Sequence, residues 1–193
     1  MSAAAAPADE GGPYAGMTQD QARARLEADI AQALARTPGG TRTGVNEVEW
    51  QDGRGGKAVE TFPVPASLKA EASGKQPRGV DYWFGCPRGW TPGSDWYCFY
   101  ENGNFNGVRE HGQSGPGNGR MLKWSNWHGV TEFGAWNFRD KISSWVNNTG
   151  YTIEVGDYTV APKYYRLWVE KPGQAMGYVG DRANDRADFF RMI

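Results

Sequence analysis

The chain has 193 residues, with 21 lysines and arginines against 22 aspartates and glutamates and a formal net charge of −1. A balance that close to zero supplies no field for nucleic-acid phosphates or an anionic membrane surface, so neither partner is expected. The 27 glycines and 11 prolines over-represent turns, and nine tryptophans stand against a mean hydropathy of −0.69; a core of a few large rings among many turns suits short strands better than a helix bundle.

Residues 1–16 are rich in Ala, Pro and Gly with little to bury, and read as disordered. They carry neither a basic n-region nor an apolar h-region, and resemble the small-residue start of a mature secreted chain with a Met placed in front. No stretch approaches the roughly 20 apolar residues that cross a bilayer, so membrane insertion is not expected. A helix follows with both ends signed. Thr18 and Gln21 have capping-box spacing and Asp20 suits the first turn. Leu26, Ile30, Ala33 and Leu34 share a face, and Pro38-Gly39-Gly40 stops the run. So narrow a stripe is marginal in water and must dock on something.

Two strand-like runs come next, with Val45, Val48 and Trp50 in one and Val59, Thr61, Phe62 and Val64 in the other. Asp52-Gly53 between them signals a turn, which predicts a β-hairpin. The helix and hairpin therefore form a module over 17–64. Residues 65–80 lose the apolar pattern and read as a linker at a domain boundary. Beyond it, from 81 to 193, short aromatic and β-branched runs recur between Gly- and Asn-rich breaks, the pattern of a sandwich or barrel. Cys86 and Cys98 are the whole cysteine inventory, and an even count at close spacing in so glycine-rich a chain favours a disulfide.

The segment from Cys98 to Gly107 contains Tyr100, then Phe105-Asn106-Gly107, an aromatic-x4-aromatic-x-Gly pattern. It resembles the folded-hairpin signature of the βγ-crystallin Greek key. Arg139-Asp140-Lys141-Ile142-Ser143-Ser144 resembles the second signature of that superfamily, with arginine at its first acidic position. A weaker copy follows in Tyr178-Val179-Gly180 and Asn184-Asp185-Arg186-Ala187-Asp188-Phe189. The resemblance implies a mainly β, Greek-key β-sandwich of two keys, about 96–148 and 151–191, with the helix and hairpin as an N-terminal extension. Gly85-Cys86-Pro87, Trp96 to Asn102 and Ser143 to Thr149 together are similar to the secreted actinobacterial peptidase inhibitor family I36, whose members resemble a Streptomyces metalloproteinase inhibitor. In the segment corresponding to 120–127, where that family usually has a further cysteine, this chain has none.

The resemblance implies a non-enzymatic, monomeric binder of an extracellular protease or a cell-envelope component. An inhibitor needs a stiff exposed loop. The segment inside the cysteine ring, with Arg88, Gly89, Trp90 and Thr91, suits this better than the glycine-rich 111–119. Calcium takes six to eight hard oxygens, and no other cofactor is implied. By resemblance, Asp140 and Ser143 serve one site and Asp185 and Asp188 the other, with Glu101 and Glu170 near the hairpin positions. Trp124, Trp127 and Trp136 cluster in a polar, glycine-containing stretch as a carbohydrate-stacking surface might. Enzyme chemistry has little to stand on, since His111 and His128 are the only histidines and no zinc-protease, phosphate-loop or nucleophile-elbow motif occurs.

Overall fold

The structure is a computed structural model that describes residues 12–51, 57–74, 81–88, 96–113, 131–133, 138–160 and 163–193. Helix α1 (Gln19–Arg36) begins at Thr18. The Gln21 N–H donates to Thr18 Oγ1 at 3.3 Å and the Thr18 N–H to Gln21 Oε1 at 2.9 Å, which closes the capping box. Ala22, Leu26, Ile30 and Ala33 form its buried face. Trp50 Nε1–H donates to Thr37 O at 2.9 Å and fastens the end of the helix. The indole packs over Gly40, where a Cβ would stand 2.7 Å from the ring. No helix among the described residues is long and apolar enough to cross a membrane.

The fold is mainly β. After α1 come β1 (Thr41–Arg42), β2 (Glu47–Gln51) and β3 (Lys57–Thr61), then a 3-10 turn (Ala66–Leu68) that runs into α2 (Lys69–Gly74). A separate hairpin is made by β4 (Asp81–Trp83) and β5 (Cys86–Arg88). The remaining strands are β6 (Trp96–Asn102), β7 (Asn106–Gln113), β8 (Thr131–Glu132), β9 (Ser144–Asn147), β10 (Ile153–Val160), β11 (Lys163–Glu170), β12 (Gln174–Met176) and β13 (Phe189–Met192). One antiparallel sheet runs β1-β2-β3-β7-β6-β9-β12 and the other β11-β10-β13-β8. Two strands change company. β8 follows β6 and β7 in the chain yet pairs with β13 in the second sheet, and β12 follows β10 and β11 yet pairs with β9 in the first.

Side chains alternate faces along a strand, and β6 is buried on both. Tyr97 and Phe99 point into a core shared by the two sheets, where Phe99 meets Phe133 edge-on at 4.8 Å and Phe190 at 5.0 Å. Cys98 and Tyr100 belong to a second cluster with Cys86 and Val146, packed by Trp83 of the β4–β5 hairpin. Tyr97 also dictates its neighbour across the ladder. A Cβ at Gly112 would overlap its hydroxyl and ring, and Tyr97 is too buried to swing aside. Gly112→Ala is therefore expected to cost about 2 kcal/mol, read as a lower urea midpoint at unchanged slope.

The N-terminal elements are more deeply integrated than their sequence suggests. The hairpin β2–β3 does not stand apart, because β3 pairs with β7 from Lys57↔Gln113 to Thr61↔Arg109. The reason is burial. Ala58, Val59 and Glu60 are buried in succession, as in an interior strand, and α1, β2 and the β body contribute to one core. The segment read as a linker carries the 3-10 turn, α2 and the buried Leu68. Within the expected disordered start, Tyr14 is buried and its hydroxyl donates to Pro63 O at 2.8 Å, so a large ring anchors the chain ahead of the helix.

Candidate functional site

The chemistry-bearing residues gather at the end of the two sheets where the β6–β7 hairpin meets the segments before β9 and β13. At the hairpin, Tyr100 and Phe105 pack edge-to-face at 5.6 Å. Asn104, Phe105 and Gly107 all have left-handed backbone, with φ of 55°, 61° and 83°. Two serines clamp this bend. Ser143 Oγ donates to Glu101 O at 2.9 Å, while Ser144 Oγ donates to Asn102 O at 2.7 Å and accepts the Phe105 N–H at 3.1 Å.

The two halves of the β body meet here in matching pairs of bonds. The Asp140 N–H donates to Ala187 O at 3.0 Å and the Asp185 N–H to Ile142 O at 3.4 Å, and both aspartates are left-handed. Likewise the Phe133 N–H reaches Asp188 O and the Val179 N–H reaches Ser143 O, each at 2.9 Å. Asp188 thus occupies in one half the place Ser143 occupies in the other.

Of the six residues that the resemblance nominates as calcium ligands, Glu101, Asp140, Ser143 and Asp185 line one open concavity, together with Lys141 and Tyr178. Burial raises the Asp140 carboxyl above its ordinary range, and the negative charges of Asp188, Asp157 and Asp185 add to this against Arg139. Asp188 is engaged elsewhere. Its carboxylate is ion-paired with Arg139 and accepts the Tyr158 N–H at 2.6 Å, and Arg186 lies 2.6 Å from Asp157. Two guanidinium groups therefore face the carboxylates on that side, and Asp188 is not among the residues that line the concavity with Asp185. Glu170 is far from the others, at the Asn147 end of β9. It is fully buried, accepts the Trp168 Nε1–H at 2.9 Å, and burial pushes its carboxyl well above the usual range. No group of three or more His, Cys, Asp or Glu among the described residues is placed to hold a metal ion, so a cation here would depend on Ser143 and on backbone carbonyls.

The second constellation is a frame. Cys86 of β5 and Cys98 of β6 form a disulfide with a Cα–Cα distance of 5.8 Å, both buried. Asn148 holds the two stubs of the enclosed segment. Its Nδ2 donates to Pro87 O at 3.1 Å and its backbone N–H to Trp96 O at 2.9 Å. Arg88 is exposed at the end of β5. Gly89, Trp90 and Thr91 lie outside the described residues, as do Trp124, Trp127 and Trp136. His111 is buried beside this frame against Trp96, at 4.9 Å between ring centroids, and burial, aided by the charge of Arg109, holds its imidazole well below the usual histidine range.

The turn between β4 and β5 places an aromatic ring where a small residue is usual. Phe84 and Gly85 form the two-residue turn of β4–β5 with φ of 51° and 79°, the type I′ geometry that favours Asn-Gly. Phe84 stacks on Phe105 at 4.2 Å with 9° between planes, its carbonyl accepts the Tyr100 hydroxyl at 2.8 Å, and Arg109 donates to Gly85 O. A left-handed Phe costs ~1–2 kcal/mol, and an aromatic pair contributes ~0.5–1.5 kcal/mol. The two nearly cancel, so the fold gains little from Phe over Asn at this position. The available signal was an aromatic-Gly step between short strand-like runs.

Comparison with protein-family models, with curated proteins and with solved structures finds no match for the chain.

Proposed function

We propose that the protein is a secreted, non-enzymatic inhibitor of an extracellular metalloprotease, similar to family I36 and carried on a βγ-crystallin-like pair of Greek keys. The exchange of β8 and β12 between the sheets, the Tyr100–Phe105 corner and the Ser143–Ser144 clamp support the crystallin-like reading. The observation that carries the inhibitory reading is the double anchoring of segment 89–95, by the disulfide and by Asn148. A loop whose ends are fixed before it meets a protease loses less conformational entropy on binding, which is what a tight inhibitor requires. The test is inhibition of a thermolysin-like enzyme with a fluorogenic peptide substrate. Inhibition at or below micromolar concentration is expected, weakened about tenfold by Asn148→Ala through loss of anchoring on the order of 1.4 kcal/mol; no inhibition at micromolar concentration removes the reading.

A second reading, a calcium-binding module at the cell envelope, draws on the concavity of Glu101, Asp140, Ser143 and Asp185, where burial, joined by repulsion from neighbouring aspartates, raises the Asp140 carboxyl. A cation placed among these oxygens relieves that repulsion. Calorimetric titration with calcium separates the two: heat of binding that disappears in Asp185→Asn favours the module, and a flat trace excludes it.

A further inference from the structure

We propose that the Phe84–Phe105 stack, flanked by the amides of Asn104 and Asn106, is a binding platform for an uncharged saccharide. Phe84 is 50% exposed although it stands at a turn position where Asn or Gly would sit without strain. The stack on Phe105 and a tilted contact with Trp83 at 5.4 Å offset the strain, yet half of the ring stays in solvent, and a strained residue held with its ring outward points to a use for the side chain. Both chain neighbours of Phe105 carry amides. Asn104 and Asn106 are exposed and make no side-chain hydrogen bond among the described residues, and Asn104 N–H donates to Gly177 O at 2.7 Å, which fixes the loop that carries it. Tyr178, itself 49% exposed, lies over Gly103 and continues the aromatic surface past the hairpin tip.

The chemistry of this surface selects its occupant. From Asn102 to Gly107 the tip carries no charge, and the charges nearest the rings are engaged, Arg109 with Gly85 O and Asp181 with the Tyr178 hydroxyl, which leaves little hold on an ionic ligand. A pyranose ring offers an apolar C–H face that stacks on an aromatic ring and hydroxyls at its edge that both donate and accept. An amide supplies both complements from one rigid group, and small sites combine apolar walls with a few placed polar groups in this way. The platform is separate from segment 89–95, which leaves the far end of the β4–β5 hairpin, so it stands or falls independently of the inhibitory reading.

Isothermal titration of the whole chain with chitohexaose and with cellohexaose tests the platform, with melting temperature measured in parallel. Wild-type protein is expected to bind at least one of the two. Phe84→Asn, which suits the turn, is expected to melt within about 2 °C of wild type and to bind at least tenfold more weakly. Asn104→Gly, which keeps the left-handed backbone free of strain and removes one amide, is expected to lose about threefold. It decides the matter should Phe84→Asn melt lower. Absence of binding to both sugars, or affinity within twofold of wild type in both variants, overturns the proposal.

Discussion

Serine at both Cys86 and Cys98 is expected to lower stability by about 3 kcal/mol and the melting temperature by roughly 6–12 °C. The bond joins residues separated by 12 in sequence, and opening so short a ring returns that much loop entropy to the unfolded chain. The effect reaches past entropy. Both sulfurs are buried against Tyr100 and Val146, so the serine hydroxyls enter an apolar cluster. What then keeps β4–β5 on the sheet, among the described residues, is the Phe84–Phe105 stack, the packing of Trp83 and the side-chain bonds from Tyr100 to Phe84 O, Arg109 to Gly85 O and Asn148 to Pro87 O. The hairpin is expected to loosen first. Hydrogen exchange in 81–88 should accelerate more than in β10 or β13, and under the proposed inhibitory function inhibition should fall with it. A melting temperature within 2 °C of wild type would contradict the assigned role of the bond.

Glu60→Gln is expected to stabilise the protein on the order of 1–3 kcal/mol at pH 8 and to change little at pH 4.5. Glu60 is 4% exposed on β3, faces Arg36 Nη2 at 3.1 Å, and borders a cleft of about 210 Å³ that Lys141 and Glu101 also line. Burial pushes its carboxyl up to about 7, against the opposing pull of Arg36 and Lys141. Between an ordinary value of 4.5 and about 7 the folded chain holds a proton that the unfolded chain has released, so this contribution is fully present below 4.5 and is lost as pH rises towards 7. Glutamine stays neutral throughout and escapes that loss. Glu170 acts in the same sense. His111 acts oppositely: its imidazole is held neutral, so its contribution is present above about 6.5 and is lost as pH falls. Urea titrations at pH 4.5, 6.5 and 8 check this. A stability difference that is constant with pH would mean that Glu60 is ionised throughout.

What could be read from the sequence is what local physics determines. The Thr18–Gln21 capping box and the Leu26, Ile30, Ala33 stripe need only neighbours three or four residues away, and α1 lies where they place it. The Asp-Gly turn joins two runs that do pair as β2 and β3. The Cys86–Cys98 bond follows from spacing and count. The pairing of β3 with β7 was hidden because it joins residues about fifty positions apart, and nothing in Lys57 to Thr61 distinguishes an edge strand from an interior one. Glu60 and Glu170 were hidden for a related reason. A carboxylate is presumed exposed until tertiary structure surrounds it. For Glu170 one clue was available: Trp168 stands two residues away on the same strand face, where period two brings an indole N–H to a carboxyl. The arginines against Asp157 and Asp188 come from the opposite half of the β body in one case and from an irregular turn in the other, so no spacing rule exposes them.

The exchange of β8 and β12 makes the molecule in effect a dimer fused into one polypeptide. A lone copy of either half would hold three strands of one sheet and a fourth with nothing to pair against. Joining the copies through the short connection at 148–152 turns a bimolecular encounter into an intramolecular one, at an effective concentration in the millimolar range. Integrity then no longer depends on how dilute the protein is.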